Sequence, residues 1–237
     1  MASNATTGKP PQWLALRFPH LALDQHCRGL DRDRPPAPRV VGDRLNGRQC
    51  VIDLNPAAES AGIRIGMPVG AALGLADALQ LFERDPRSEH ATLKRLAGWC
   101  YQYSNQVCID PQRNSLLLEI AASRRLFGPA ETLAARIHAE LEQLGYRTAF
   151  GIAPTPEAAH LAARHGLHIR APGGIRGSIG ALGIDSLYLK GAEIGALQKM
   201  GFRTVAEVLR LPRKALARRM GHELSIWLKI QSAWNQS

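Results

Sequence analysis

The sequence predicts an α+β protein whose main sheet has the split βαβ layout of ferredoxin-like folds. Three observations lead to this prediction. Strand-like and helix-like runs follow the order strand, helix, strand, strand, helix, strand. A segment of different character, residues 25–88, separates the first strand from the first long helix. Near the C-terminal end, the stretch 197–221 is helical in pattern and strongly basic.

The elements of the main sheet can be read in chain order. WLALRF, at 13–18, is an apolar strand, and the helix over 88–104 places Leu93, Leu96, Ala97 and Cys100 on one face. Two strand-like runs, 106–110 and 115–120, are joined by the turn-forming residues PQRNS. A helix over 129–144, a strand over 147–153 and a helix from Thr155-Pro156 to Gly166 complete the pattern.

The segment 25–88 predicts a small inserted module. It starts with an exposed, proline-rich loop at 29–39, and Asn46-Gly47 then predicts a two-residue hairpin turn. In NPAAESAG, Asn55 is a helix cap, Pro56 suits the first turn and Gly62 suits the end. Further on, the glycine-rich stretch 171–180 predicts a linker.

Composition narrows the function classes. The chain has 237 residues, enough for one large domain or for two to three small modules, and its formal charge of +10 favours a polyanionic partner. Its four cysteines form no CxxC pair, which favours a reduced cytosolic protein over a disulfide framework or a zinc site. No secretory leader or membrane span is expected. His165 and His168 lack a convergent acid, so we expect no metal there.

The basic stretch predicts contact with nucleic acid. An apolar helix, a tight turn at 200–204 and a second helix would point main-chain N–H groups outward, which suits binding of phosphate without reading of bases. The alternative is a solvated basic face on a helical module. The residues predicted to bind the DNA backbone are Lys199, Gly201, Arg203, Thr204, Arg213 and Lys214.

Several motifs together resemble Y-family translesion DNA polymerases. They are the strand at 13–18, NPAAESAGIRIGM, the 106–120 hairpin followed by RLFG, TAFGIAPTPEAAHLAA and MGFRTVAEVLRLPR. WLALRFPHLALD and RLPRKALARRMG most resemble a divergent, polymerase-like subunit of the bacterial SOS mutasome. The resemblance implies a right hand that follows a disordered N-terminus (1–11). Its parts would be a ferredoxin-like palm (12–24 and 89–170), inserted fingers (25–88) and a helix-hairpin-helix thumb (171–237). A little-finger domain would be absent.

The resemblance also implies where the metal ligands should stand. The two aspartates of the family's D-x-D element fall on Arg17 and Pro19, and its adjacent Asp-Glu pair falls on Asp110 and Pro111. One carboxylate therefore remains of three. The positions are degenerate, and no catalytic residue and no metal or other cofactor are expected.

The positions that handle the nucleotide differ as well. The family's aromatic pair, which includes the steric gate against ribonucleotides, falls on Leu21 and Ala22. The Tyr and Arg that hold the triphosphate fall on Pro56 and Glu59, and a palm Lys falls on Pro156. Glutamate repels phosphate, so nucleotide binding is not expected here.

We therefore expect a noncatalytic, DNA-binding subunit in translesion synthesis and DNA repair. By the resemblance its partners would be the sliding clamp, a RecA-like subunit and an error-prone polymerase III alpha-type enzyme, in the cytoplasm at the nucleoid. The alternative is an active polymerase that holds Mg²⁺ on relocated ligands. Asp24 and Glu119 are the other carboxylates nearest in sequence to the degenerate ligand positions. A third possibility is a truncated remnant, because the chain stops at Ser237, before the usual clamp and partner contacts.

Overall fold

The computed structural model describes residues 11–28, 37–189 and 191–211. The strands are β1 Trp13–Arg17, β2 Arg39–Leu45, β3 Arg48–Leu54, β4 Gln80–Glu83, β5 Val107–Asp110, β6 Ser115–Glu119 and β7 Ala149–Ala153. The helices are α1 Leu21–Cys27, α2 Pro56–Ser60, α3 Val69–Leu73, α4 Pro86–Cys100, α5 Arg124–Phe127, α6 Ala130–Gln143, α7 Pro156–His165, α8 Gly173–Ser178, α9 Gly191–Lys199 and α10 Val205–Leu209. Short 3₁₀ turns lie at Pro111–Arg113 and Ile184–Ser186.

The main sheet has the strand order β5-β6-β1-β7, and all of its pairs are antiparallel. The strands β1 and β5 run in the same direction on either side of β6, and the connection between them contains α1, the inserted module and α4. This is the split βαβ arrangement, so the predicted ferredoxin-like palm is confirmed. The C-terminal residues of β1 and β5, Arg17 and Asp110, consequently lie at the same end of the sheet.

Each face of this sheet is covered by helices. Leu14 and Leu16 of β1 belong to a buried cluster that includes residues of α4 and α6. Ala15, between them, faces the opposite way and packs with α7 and with the segment that follows it. The alternation along β1 explains why WLALR reads as continuously apolar: both faces of the strand are buried.

The inserted module has a small core of its own, formed around Val40, Val51 and Ile63. Asn46 and Gly47 have φ values of 50° and 79°, as the predicted two-residue hairpin turn requires. The predicted cap of α2 is also present, because the Asn55 side chain accepts a hydrogen bond from Ala58 N–H. The sequence did not predict β4, which pairs parallel to β2.

Two buried aspartates fasten α1 to the rest of the chain. Asp53 of the insert lies 2.7 Å from His20 Nδ1 and accepts a hydrogen bond from Leu23 N–H. Asp24 accepts hydrogen bonds from the main chain and the guanidinium of Arg147, next to β7. These contacts hold the insert beside the end of β1.

The segment after α7 corrects one prediction. The stretch 171–180 is not a linker: Gly173–Ser178 is helical, and Ile175 and Ile179 are buried against α7. The prediction of a linker rests on the glycines, which have low helix propensity. The two isoleucines are four residues apart and form the apolar face of a short helix. The helix-hairpin-helix is present in α9, the turn 200–204 and α10, with Gly201 at φ 88°.

Some predictions concern residues outside the described ranges. The predicted disorder of 1–11 falls there except for Pro11, as does most of the loop at 29–39. Arg213 and Lys214, and the last predicted helix of the thumb, fall there as well. Within the described ranges, no helix is both long enough and apolar enough to cross a membrane.

The close approach of β7 and α7 gives the first testable prediction. A Cβ added at Gly151 would lie 2.1 Å from Ala163 N and 2.3 Å from Ala162 C, both main-chain atoms that cannot move separately. We expect Gly151→Ala to lower the free energy of unfolding by about 3 kcal/mol, measured by urea denaturation.

The control is Gly98→Ala in the interior of α4, where an added Cβ meets nothing within 4 Å. This variant should be more stable than the wild type by about 0.5–1 kcal/mol, because alanine favours the helix. Equal urea midpoints for Gly151→Ala and the wild type would show that β7 and α7 are not packed as described.

Candidate functional site

The candidate site lies where β1 and β5 end on either side of β6. Arg17 is the register partner of Ser115, and Ser115 is in turn the partner of Asp110. Directly paired residues of an antiparallel sheet project to the same face, so all three side chains lie on the side covered by α7. The structure thus brings together Arg17 and Asp110, as the sequence predicted. Pro19 is exposed just beyond β1, and Pro111 opens the 3₁₀ turn after β5.

Asp110 is engaged by groups of the protein itself. Its carboxylate forms an ion pair with the guanidinium of Arg113 and accepts a hydrogen bond from Arg113 N–H. The oxygen Oδ2 of Asp110 also lies 3.5 Å from His160 Nε2 of α7. Since its side chain is only 20% exposed, this carboxylate has little surface left for a further ligand.

His160 and Tyr188 complete the floor of the site. Ser115 Oγ lies 3.3 Å from His160 Nδ1, and the Tyr188 hydroxyl donates a hydrogen bond to the His160 carbonyl at 3.2 Å. Burial, reinforced by the positive charge of Arg113, lowers the pKa of His160 to about 4, while the Asp110 charge acts in the opposite direction. His160 is therefore neutral at pH 7.

Two arginines contact Tyr188 and a third acts on it electrostatically. The guanidinium carbons of Arg113 and Arg164 lie 4.5 Å and 5.6 Å from its ring centroid. Burial raises the pKa of the Tyr188 hydroxyl, and the positive charge of Arg17 opposes that rise, which places Arg17 within electrostatic range of the same ring. Asp110 is the carboxylate that faces them, so the cluster carries an excess of positive charge.

This arrangement does not fit a pair of divalent metal ions. In the described ranges, no group of three or more His, Cys, Asp or Glu side chains converges in a way that could hold a metal. The alternative ligands are also engaged elsewhere. Asp24 binds Arg147, and Glu119 Oε1 accepts hydrogen bonds from Gln12 and Ala121 N–H at the other end of the palm.

The predicted nucleotide positions lie on three separate elements. Leu21 and Ala22 are buried core residues of α1 and line no open site. Pro56 and Glu59 are both exposed on α2 in the insert, and Pro156 is the first residue of α7, one turn before His160. None of the five supplies a cation or a hydrogen-bond donor from its side chain.

The thumb hairpin differs from the sequence-based picture in one respect. Every main-chain N–H from Met200 to Glu207 already has an acceptor in the protein. In particular, the carboxylate of Glu207 accepts from Arg203 N–H at 2.7 Å and from Thr204 N–H at 3.0 Å, which keeps the pKa of Glu207 below its usual range. The expectation that these N–H groups point outward to phosphate is wrong.

The side chains of the hairpin remain available. Lys199 and Arg203 are exposed on either side of the turn, Gly201 is exposed at its tip, and Thr204 is a partly buried cap whose hydroxyl accepts a hydrogen bond from Glu207 N–H. Arg213 and Lys214 lie outside the described residues. A role in DNA binding stays a prediction for all six residues.

Comparison with known proteins identifies the family. The model of the impB/mucB/samB family matches residues 29–164, more than half of the chain. The chain belongs to the impB/mucB/samB family. Among curated proteins, those named Protein ImuB from two Caulobacter vibrioides strains are 33% identical over 174 residues, which is 73% of this chain. The match spans only 37% of the length of these relatives.

Solved structures agree on the fold. DinB from Sulfolobus solfataricus superposes with a TM-score of 0.69 at 18% identity, over 95% of this chain and 67% of that one. A post-insertion binary complex of Dbh DNA polymerase gives 0.73 at 17% identity with the same coverage. A Y-family DNA polymerase chimera gives 0.72 at 19% identity, over 94% and 67%. The fold is therefore that of the Y-family right hand, as predicted.

Sequence reasoning missed Arg113, His160, Tyr188 and Arg164. The one local signal was the spacing of Asp110 and Arg113, since residues three apart meet in a helical turn. His160 and Arg164 are also one helical turn apart, but only the packing of α7 on the sheet brings them to β5 and β6.

The lowered pKa of His160 yields a prediction about stability. Between its usual pKa of 6.5 and its folded value of about 4, the unfolded chain binds a proton there that the folded chain does not. The free energy of unfolding should therefore fall as the pH falls from 7.5 to 5, by at most about 1.4 kcal/mol per pH unit from this group.

The measurement is urea unfolding at several pH values, with His160→Gln compared against His165→Gln, an exposed position on the same helix. The His160→Gln variant should show a weaker decline with acid than His165→Gln does. If both variants decline in parallel with the wild type, His160 is not the buried neutral group described.

Proposed function

We propose that this chain is a noncatalytic, DNA-binding member of the Y-family polymerase fold that acts in SOS-induced translesion synthesis as a scaffolding subunit. The observation that carries the proposal is the pairing of Asp110 with Arg113, while Arg17 and Pro19 stand at the two ligand positions that the resemblance places at the end of β1. The carboxylate that remains is neutralised by the protein.

Positive charge opposes metal binding at this site. Two-metal phosphoryl transfer needs carboxylates that hold cations against the attacking and leaving oxygens. Like unit charges about 4 Å apart repel by roughly 4 kcal/mol at an effective dielectric of about 20. Arg17 and Arg113 therefore oppose a divalent cation where the fold would otherwise hold it. A protein with this site keeps the shape of a polymerase without the means to activate a nucleotide.

The charge of the whole chain supports binding to DNA. A formal charge of +10, with Lys199 and Arg203 exposed at the thumb hairpin, favours contact with phosphates irrespective of base sequence. The resemblance to a mutasome subunit supports the partners proposed with it: the sliding clamp, a RecA-like subunit and an error-prone polymerase III alpha-type enzyme. These partners, the cytoplasmic location and the absence of a cofactor are parts of the proposal.

Primer extension tests the noncatalytic role. Purified chain with a primer–template, all four nucleotides and either Mg²⁺ or Mn²⁺ should extend no more primer than a buffer blank, because the palm lacks the carboxylate set that would hold the cations. An active Y-family polymerase in the same buffers is the positive control. Robust extension that Asp110→Ala abolishes would instead establish an active polymerase with unusual ligands.

The salt dependence of DNA binding tests the thumb. When alanine replaces Lys199, Arg203 and Arg213 together, fewer phosphates of the duplex are neutralised by the protein. The slope of log affinity against log salt should therefore flatten, by up to about 0.9 for each phosphate that is no longer neutralised. Fluorescence anisotropy with a labelled duplex at several salt concentrations measures this slope.

The control removes equal charge elsewhere, by replacing Arg87, Lys94 and Arg125, which are exposed on α4 and α5. Its slope should stay close to that of the wild type. If the two triple variants behave alike, the thumb hairpin does not bind the DNA and only the net charge matters.

A further inference from the structure

The arginine cluster at the end of the palm strands has the chemistry of an anion site. We propose that Arg17, together with Arg113 and Arg164, binds a phosphodiester group of DNA without a metal ion, at the place where the fold would hold its metals. This inference rests on the proposed DNA binding and adds a second, separate contact to that of the thumb. On this proposal, arginine in place of a metal-binding carboxylate changes the ligand of the site from a cation to a phosphate.

The free capacity of two guanidinium groups, those of Arg17 and Arg164, supports this site. Arg17 is half-buried, and its guanidinium forms no hydrogen bond or ion pair with any residue in the described part of the chain. Arg113 is paired with Asp110, its side chain is only 14% exposed and its Nε is buried without a hydrogen-bond partner, so Arg113 adds positive charge beneath the site and has little surface for direct contact. Arg164 is exposed on the last turn of α7 and donates one long hydrogen bond, 3.4 Å, to the Ser186 carbonyl.

The charges around the cluster also favour an anion. Three guanidinium groups face a single carboxylate, that of Asp110, among the described residues, and His160 is neutral at pH 7. The Tyr188 hydroxyl is un-ionised as well, since the pKa of a tyrosine is about 10 and burial raises that of Tyr188. The cluster therefore has an excess of about two positive charges, which a phosphate group would offset.

Guanidinium groups are well suited to phosphate. Their planar donors match two phosphate oxygens at once, and they remain charged at any physiological pH. The packing of Arg164 against Tyr188 restrains an exposed guanidinium, which reduces the entropy lost on binding. The rigid end of β1 supplies a fixed position for Arg17.

A nucleoside triphosphate fits this part of the molecule less well than a DNA phosphodiester. It would need cations for three phosphates, and the predicted triphosphate positions carry Pro56, Glu59 and Pro156 in their place. Glu59 would repel it. A phosphodiester carries one negative charge, which the excess charge of the cluster accommodates, and the same polymer can reach the exposed cations of the thumb.

Binding of a fluorescent primer–template duplex in EDTA tests the proposal. Arg17→Ala should weaken binding roughly tenfold, the lower end expected for a hydrogen bond to a charged group, and flatten the salt slope by about 0.9. Arg17→Lys, which keeps the charge but not the planar fork, should keep the slope and recover part of the affinity. Arg125→Ala, at an exposed position on α5, is the matched control and should bind like the wild type. Unfolding midpoints confirm that each variant is folded.

The other outcomes are distinct. If the wild type binds no DNA with or without Mg²⁺, the proposed function itself fails. If the wild type binds in EDTA but Arg17→Ala equals Arg125→Ala, the palm contact is overturned while DNA binding stands. Loss of wild-type binding in EDTA and its recovery with Mg²⁺ would overturn the metal-free site. Competition by dCTP that Arg17→Ala abolishes would assign the site to a nucleotide and overturn the DNA assignment.

Discussion

The register of three antiparallel strands around Ser115 determines what this site can be. Because Ser115 pairs with Arg17 on one side and with Asp110 on the other, the ends of β1 and β5 always face the same point beneath α7. The register is fixed by the different side chains that the two buried faces of β1 require, since a slip of one residue would place Leu14 and Leu16 against α7, where the small Ala15 packs. The side chains at the strand ends can change without disturbing the sheet. The fold therefore keeps the two strand ends together, and the side chains at Arg17 and Asp110 determine whether the site can bind a cation or an anion.

The ion pair of Asp110 and Arg113 shows how the fold tolerates an isolated carboxylate. A partly buried charge without a partner is strongly destabilising, and in a metal-binding palm the cations would be the partners. Here the cation comes from the turn that Asp110 itself caps, so the compensation is local and needs no change in the rest of the sheet. The same guanidinium then stacks on Tyr188 and joins the palm to the segment after α8.

Most of the fold could be predicted from the sequence because its signals are local. The Asn46-Gly47 turn, the cap at Asn55, the helix start at Thr155-Pro156 and the order of the palm elements are all present. The failures have physical causes. Glycines masked the apolar spacing of Ile175 and Ile179, and the parallel pairing of β4 with β2 is a long-range contact with no local signature.

The site was predictable only in part. Arg17 and Asp110 follow from strand ends and a family resemblance, whereas His160, Arg164 and Tyr188 reach them only through the packing of α7 and of the segment beyond it. The pattern of the hairpin predicts its turn, and Thr204 and Glu207 have the spacing of a capping box, a local signal that the expectation of phosphate binding left out. Capping by the third residue of a helix satisfies the same donors that a phosphate would use.

The palm and the thumb hairpin share one property: groups of the protein fill the places where other members of the fold family could bind a ligand. Arg113 takes the carboxylate that would hold a metal, and Glu207 takes the main-chain donors that would hold a phosphate. In the proposed function, what remains for DNA at both ends is side-chain charge, from Arg17 in the palm and from Lys199 and Arg203 in the thumb. Contacts of this kind release counterions and carry no base information. In the proposed function, the affinity would depend on the number of phosphates along a strand and not on its bases, which suits a subunit that holds damaged DNA of any sequence.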